Sequence, residues 1–159
     1  MDKEKKIIPG LRGIIPSLHT PFCNENKVDI CSLKKLIDHT VATNCSGMLV
    51  GAVAGENSSL TFDEKNRIID ECLSYNNNRI PIIISCSANN QKDRIALSKS
   101  AKEAGADWIL CQTPDNVFGN ELLQCFNEIA EVGPNNLMIQ DLSWVDNGIS
   151  DEDIMLLYN

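Results

Sequence analysis

Gly51-Ala52-Val53-Ala54-Gly55-Glu56 is the stretch on which the reading of this chain turns. Its approach, Gly47-Met48-Leu49-Val50, is a short apolar run of the kind that forms a buried strand. Its exit, Asn57-Ser58-Ser59-Leu60, leads to Thr61-Phe62-Asp63-Glu64, a capping box that starts a helix. Small residues between a strand and a helix let a ligand approach backbone N–H groups, which can hold a carboxylate or phosphate without a cationic side chain. The same residues also suit a turn chosen only for tight packing, and the loop alone does not decide between the two.

Outward from the loop, the strand-then-helix pattern repeats. Upstream, Gly13-Ile14-Ile15-Pro16-Ser17-Leu18 reads as a strand ending at the Thr20-Pro21-Phe22 turn, and Leu33, Leu36, Ile37 and Val41 then recur at helical spacing opposite Lys34, Lys35 and Asp38. Downstream, Ile68, Ile69 and Cys72 face inward on a helix broken at Asn76-Asn77-Asn78. Pro81-Ile82-Ile83-Ile84-Ser85-Cys86 is a strand, followed from Gln91 by a helix with Leu97, Ala101 and Ala104 on one face and Gly105 at its end. Ala106-Asp107-Trp108-Ile109-Leu110-Cys111 is the next strand, with Trp108 expected in the core, and it closes at Thr113-Pro114. Leu122, Phe126, Ile129 and Ala130 make one apolar stripe on the helix that Gly133-Pro134 ends. Leu137-Met138-Ile139-Gln140-Asp141 is the fifth strand, leading to a helix capped by Ser150 with Ile154, Leu157 and Tyr158 inward.

Strand starts near residues 13, 47, 81, 106 and 136 recur roughly every thirty residues with a helix after each, which is the signature of parallel βαβ units. The fold class is therefore α/β. Two architectures fit, a doubly wound open sheet or part of an eight-fold barrel, and a complete barrel takes about 250 residues where this chain has 159.

Composition narrows the function. With 43% hydrophobic and 23% charged residues the chain is composed like a soluble globular protein, and a net charge of −8 argues against the polyanions, nucleic acid and anionic membrane, as partners. No run approaches the length needed to cross a bilayer. The seven cysteines fall inside or beside apolar runs with no C-x-x-C spacing, so they read as buried, reduced thiols. His19 and His39 are the only imidazoles, which excludes a His-rich metal site. The N-terminal Met1-Asp2-Lys3-Glu4-Lys5-Lys6 is neither a secretory nor a transit signal, so a cytoplasmic protein is expected.

The order of motifs resembles a known family. Thr20-Pro21-Phe22, Gly55-Glu56 with Leu60 and Glu64 after it, Ala104-Gly105-Ala106-Asp107 and Thr113-Pro114 are similar to the N-terminal half of the dihydrodipicolinate synthase and N-acetylneuraminate lyase family. The resemblance implies a TIM (β/α)₈ barrel of which this chain holds about five βα units, with residues 1–10 a polar lead-in and 11–159 an incomplete TIM-barrel domain. It also implies class I aldolase chemistry on pyruvate or a related 2-keto acid, through a lysine Schiff base and without metal or nucleotide cofactor. None of the ten lysines ends a strand, and the resemblance places the Schiff-base lysine on a sixth strand beyond Asn159.

Further implications attach to named positions. Ala52, Val53 and Ala54 stand where the family has hydroxyl residues, so Ala52, Val53, Ala54 and Gly55 would hold the keto-acid carboxylate through backbone N–H groups alone. Gln140 stands at the position of the family's relay tyrosine, and an amide hydrogen-bonds but does not exchange a proton as a phenol does. Asp115-Asn116 replaces an aromatic pair. Asp141, at a strand mouth, is either a functional acid or the cap of the following turn, and Glu56 is either catalytic or a favourable charge before a helix. His19 lies at the same mouth. The expected partners are a small 2-keto acid and either further copies of the chain or a complementing C-terminal half; the alternative is a non-catalytic barrel-fragment paralogue used for binding or association.

Overall fold

The structure, a computed structural model, describes residues 11–142 and 148–158. In order these form α1 (Ile30–Ala42), β1 (Met48–Val50), two short 3₁₀ turns at Val53–Gly55 and Asn57–Ser59, α2 (Phe62–Asn76), β2 (Ile82–Ser85), α3 (Gln91–Glu103), β3 (Trp108–Gln112), α4 (Gly119–Val132), β4 (Asn136–Gln140) and α5 (Asp151–Tyr158). The strands make one parallel sheet in the order β1-β2-β3-β4, so each βαβ unit lays its strand beside the last.

Local chemistry sets the helix starts. Asp29 accepts the N–H of Ser32 at 3.0 Å to cap α1, and Asn90 accepts that of Asp93 at 2.9 Å to cap α3. The capping box before α2 is complete: the Thr61 hydroxyl accepts the Glu64 N–H at 3.3 Å, and the Glu64 carboxylate accepts the Thr61 N–H at 2.9 Å. Those bonds hold the Glu64 carboxyl below its ordinary pKa.

Alternation along the strands decides the architecture. Met48, Val50, Ile82, Ile84, Cys86, Ile109 and Cys111 belong to one buried cluster with Leu33, Ile37, Ile69, Leu97, Leu122 and Ile129 from the helices. Residues of the opposite parity, Leu49, Ile83, Ser85, Leu110 and Gln112, lie outside that cluster. Each helix also packs against its neighbour in sequence, α1 on α2, α2 on α3, α3 on α4 and α4 on α5. Helices therefore cover one face only, which removes the doubly wound alternative and leaves the front of a barrel. On the concave face the register stacks side chains in rows: Leu49, Ile83 and Trp108; then Ser85, Leu110 and Met138; then Gln112 and Gln140. Polarity rises toward the strand C-termini, where a barrel carries its chemistry.

Four expectations need correction. The segment 13–18 is a single parallel bridge, Ser17 to Leu49, carried by Leu49 N–H to Pro16 O at 2.9 Å and Leu18 N–H to Leu49 O at 2.8 Å. The preceding rung needs an N–H at position 16, which proline lacks. Trp108 is half-buried in the concave row, outside the helix-side core. In α5, Leu157 packs on the core, but Ile154 is 50% and Tyr158 85% exposed, and the buried residue is Asp153. Its carboxylate accepts the Gly119 N–H at 2.7 Å, an orphan donor at the start of α4, so this face of α5 is turned toward α4. Of the cysteines, Cys72, Cys86 and Cys111 are buried, with burial pushing Cys72 up to about 12 and Cys111 to about 11, whereas Cys23 and Cys31 are exposed.

Replacing Thr61 by Ala removes one half of the capping box and leaves the Glu64 N–H without its acceptor. The urea midpoint is expected to fall by the equivalent of about 1 kcal/mol with an unchanged m-value.

Candidate functional site

The chain leaves β1 at Gly51, whose φ of +72° is open to glycine at little cost, and turns at once into the first 3₁₀ turn. Ala52 O accepts the N–H of Gly55 at 2.9 Å and of Asn57 at 3.3 Å, while Val53 O accepts the N–H of Glu56 at 3.0 Å. His19 Nδ1–H donates to Ala54 O at 2.9 Å, and the Thr20 hydroxyl donates to Gly55 O at 2.6 Å. A Cβ at Gly55 would stand 3.0 Å from Leu18 O, so the loop presses on the 17–20 segment as only glycine allows. In a trans peptide C=O and N–H point opposite ways, so tying Ala52 O and Val53 O inward turns the Val53 and Ala54 N–H groups outward. Those two N–H groups make no hydrogen bond among the described residues. They form a concave pair of donors of the kind that binds a carboxylate. Gly55 N–H is occupied by Ala52 O and is not part of that pair.

A buckle behind the loop fixes this geometry. The buried Asn57 donates from Nδ2 to Gly51 O at 2.5 Å and accepts Lys65 Nζ–H on Oδ1 at 2.7 Å. Lys65 Nζ–H also donates to Ser87 O at 3.1 Å, so one ammonium joins the loops after β1 and β2. Burial pulls the Lys65 pKa below its ordinary value, with Asp93 acting weakly the other way.

The polar end of the concave face completes the mouth. Ser85 Oγ–H donates to Ser87 Oγ at 3.1 Å, Ser87 Oγ accepts the Gln112 N–H at 3.0 Å, and Gln112 Nε2–H donates to Gln140 Oε1 at 3.3 Å. A cavity of about 460 Å³ opens there, lined by Val53, Asn57, Ser87, Gln112 and Arg94 among others. Val53 and Gln112 thus share a space, and Gln140 joins it through the Gln112 amide. Asp141 does not: it lines an adjacent cavity of about 190 Å³, and its carboxylate accepts the Ile149 N–H at 3.2 Å as the cap of its own loop. Glu56 is exposed in the left-handed region at φ 57°, and its backbone rather than its carboxylate serves the turn.

Comparison with known proteins bears on the fold and the family. The Dihydrodipicolinate synthetase family matches residues 10–146. This chain belongs to that family. The 4-hydroxy-tetrahydrodipicolinate synthase of Salinibacter ruber is 37% identical over 103 residues, covering 65% of this chain and 34% of that protein. YagE, a prophage protein of the dihydrodipicolinic acid synthase family from E. coli K12 in complex with pyruvate, superposes with a TM-score of 0.80 at 27% identity, over 85% of this chain and 46% of that one. Dihydrodipicolinate synthase from Aquifex aeolicus gives 0.80 at 26% identity, over 92% and 50%. The chain spans one third to one half of the length of these family members.

Family membership and the concave sheet together make this a TIM-barrel front, with its mouth at the loops after β1, β2 and β3. Sequence reasoning placed the loop but passed over Asn57, Lys65, Ser87, Gln112 and Arg94. Lys65 sits on α2 and reads as an ordinary helix lysine, and only its reach across to Ser87 O reveals the role. Ser87 and Gln112 carry the alternation that faces the concave side, a signal the sequence did hold.

Asn57→Ala strips Gly51 O and Lys65 Nζ of partners at once, and is expected to lower stability by about 1–3 kcal/mol in denaturant unfolding. The pH dependence has a definite sign. Because the folded state holds the Lys65 proton less tightly than the unfolded chain does, the unfolded state binds more protons in the interval just below 10.5, and stability rises with pH there. Lys65→Met is expected to remove that rise, read as the difference between the two urea midpoints measured at steps from neutral pH toward 10.5.

Proposed function

We propose that this chain is the keto-acid-binding front of a pyruvate-dependent class I aldolase-type lyase. The outward N–H groups of Val53 and Ala54 hold the carboxylate of pyruvate or a related 2-keto acid, with Ala52 and Gly55 shaping the turn. The observation that carries this reading is a pair of N–H groups without partners among the described residues, on a loop whose Val53 lines the cavity, in a chain that belongs to the synthase family. The reaction adds a lysine amine to the keto carbon with loss of water, and the iminium accepts electrons from the bond being made or broken. No described lysine offers that amine at a strand end, and Lys65, the one nearest the mouth, is committed to Asn57 and Ser87. The amine is supplied by the strands that close the barrel, in a continuation of the polypeptide or in a complementing chain. Gln140 orients the bound acid or a water through its amide, without exchanging a proton. Asp141 takes no direct part, its carboxylate accepting the Ile149 N–H. Nothing in this chemistry calls for a metal or nucleotide. The unclosed sheet has its outer β4 edge free among the described residues, which supports self-association or pairing with the missing strands.

A second reading, a non-catalytic barrel-fragment paralogue used for binding or association, is favoured by Ala52, Val53 and Ala54 in place of hydroxyl residues and by Gln140 in place of a phenol.

Titration of the isotope-labelled chain with pyruvate tests both. The Val53 and Ala54 amide resonances are expected to shift saturably at millimolar concentration, and borohydride is expected to leave no adduct on this chain alone. With the closing strands supplied, borohydride should trap one pyruvate on their lysine. Silent Val53 and Ala54 amides would overturn the carboxylate assignment, and binding without trapping in the closed barrel would favour the second reading.

A further inference from the structure

Arg94, on the first turn of α3, is a buried cation that makes no ion pair among the described residues, with Asp115 attracting it only from a distance. It is only 6% exposed, and among the described residues the ion pairs are Lys27 with Glu25, Lys34 with Glu71, Arg79 with Asp38 and Lys99 with Glu103, none of which includes it. Its Nε–H donates to Ala88 O at 2.7 Å, which fixes the guanidinium against the loop after β2, while Nη1 has no acceptor. An arginine does not shed its proton in a protein, so the charge persists and burial alone works against it. A buried cation with an unused donor is a place where a negative group relieves the cost of burial.

The surroundings say what kind. Arg94 lines the same cavity of about 460 Å³ as Val53, at the side formed by α3 and the start of α4, together with Ser87, Asn89, Gln112 and Thr113. These are neutral hydrogen-bonding residues suited to the outer oxygens of a small anion. Asp115 and Glu121 also line the cavity, but both are exposed and neither pairs with Arg94. We infer that the space between the loops after β2 and β3 is a site for a small oxyanion, a carboxylate or a phosphate, held by the Arg94 guanidinium and by the hydroxyl and amide groups around it. The site lies beyond the keto-acid loop and does not depend on it, because its charge comes from α3 and not from the Val53 and Ala54 N–H groups. A planar carboxylate would be gripped by two parallel N–H donors of the fork, and a phosphate by charge with more tolerance of geometry.

The test uses the full chain, titrated at constant ionic strength with inorganic phosphate and, separately, with acetate, against chloride as control. The Arg94 Nε–H resonance and the amides of Asn89, Gln112 and Thr113 are expected to respond saturably to at least one oxyanion and not to chloride. Arg94→Gln should abolish the response, while leaving any pyruvate response at Val53 and Ala54 in place. Arg94→Lys should keep phosphate binding about tenfold weaker and lose acetate, which separates the two chemistries. Asp115→Asn removes a competing negative charge and should tighten binding. If Arg94→Gln fails to fold, Arg94→Lys and Asp115→Asn carry the comparison. No saturable response in the wild type, with the Asp115 charge alone offsetting the cation, overturns the proposal. An equal response in Arg94→Gln does the same.

Discussion

Alternation in a parallel sheet with helices on one face is the constraint from which everything else here follows. Successive side chains of a strand point to opposite faces, so β1 to β4 divide their residues between a helix-side core and a concave interior. The helix side is filled by Ile37, Ile69, Leu97 and Ile129 against Val50, Ile84 and Ile109, each fully buried. Burying side chains of that size stabilises by about 1.5–3 kcal/mol each relative to exposure, which holds every strand in one register. The concave rows then take their positions without choice, and Ser85, Gln112 and Gln140 come to the mouth because their parity and depth place them there.

Register fixes the loop as well. Once β1 is held, Gly51 must turn, and the turn is kept by bonds from outside it: Asn57 to Gly51 O, His19 to Ala54 O and Thr20 to Gly55 O. Three carbonyl anchors and two internal turns orient the peptides, and the outward N–H pair is the residue of that arrangement. Asn57, His19 and Thr20 thus hold the peptides of the turn in place through their carbonyls. Carbonyl anchoring does not use the side chains at 52–54.

The charged groups near the mouth divide the labour. Lys65 is partly buried and fully engaged, joining two loops. Arg94 is more deeply buried and keeps a donor unused. On the outer helices the charges are exposed and local: Asp38 accepts from the Tyr75 hydroxyl at 2.6 Å and from Arg79 at 2.7 Å, tying α1 to the end of α2 and holding the Asp38 carboxyl below its ordinary pKa. Such exposed pairs contribute little each, whereas a buried unpaired cation is costly enough to demand an explanation.

What the sequence by itself determined was periodic or local. The helix faces of α1 to α4 except for Ala130, which is exposed, the Thr61 capping box, the strand positions after the first and the glycine-bounded loop follow from apolar spacing and turn chemistry within one segment. The tertiary structure alone decided what lies between segments. Pro16 reduced a strand to a bridge, because a ladder needs the N–H of each partner. Asp153 is the buried residue of α5, where its carboxylate accepts the Gly119 N–H of a segment far away in sequence. Lys65 became a mouth residue by reaching the carbonyl of Ser87 in the next loop, a residue distant in sequence. Hydrogen bonds between segments depend on three-dimensional proximity, which periodicity along one chain does not encode.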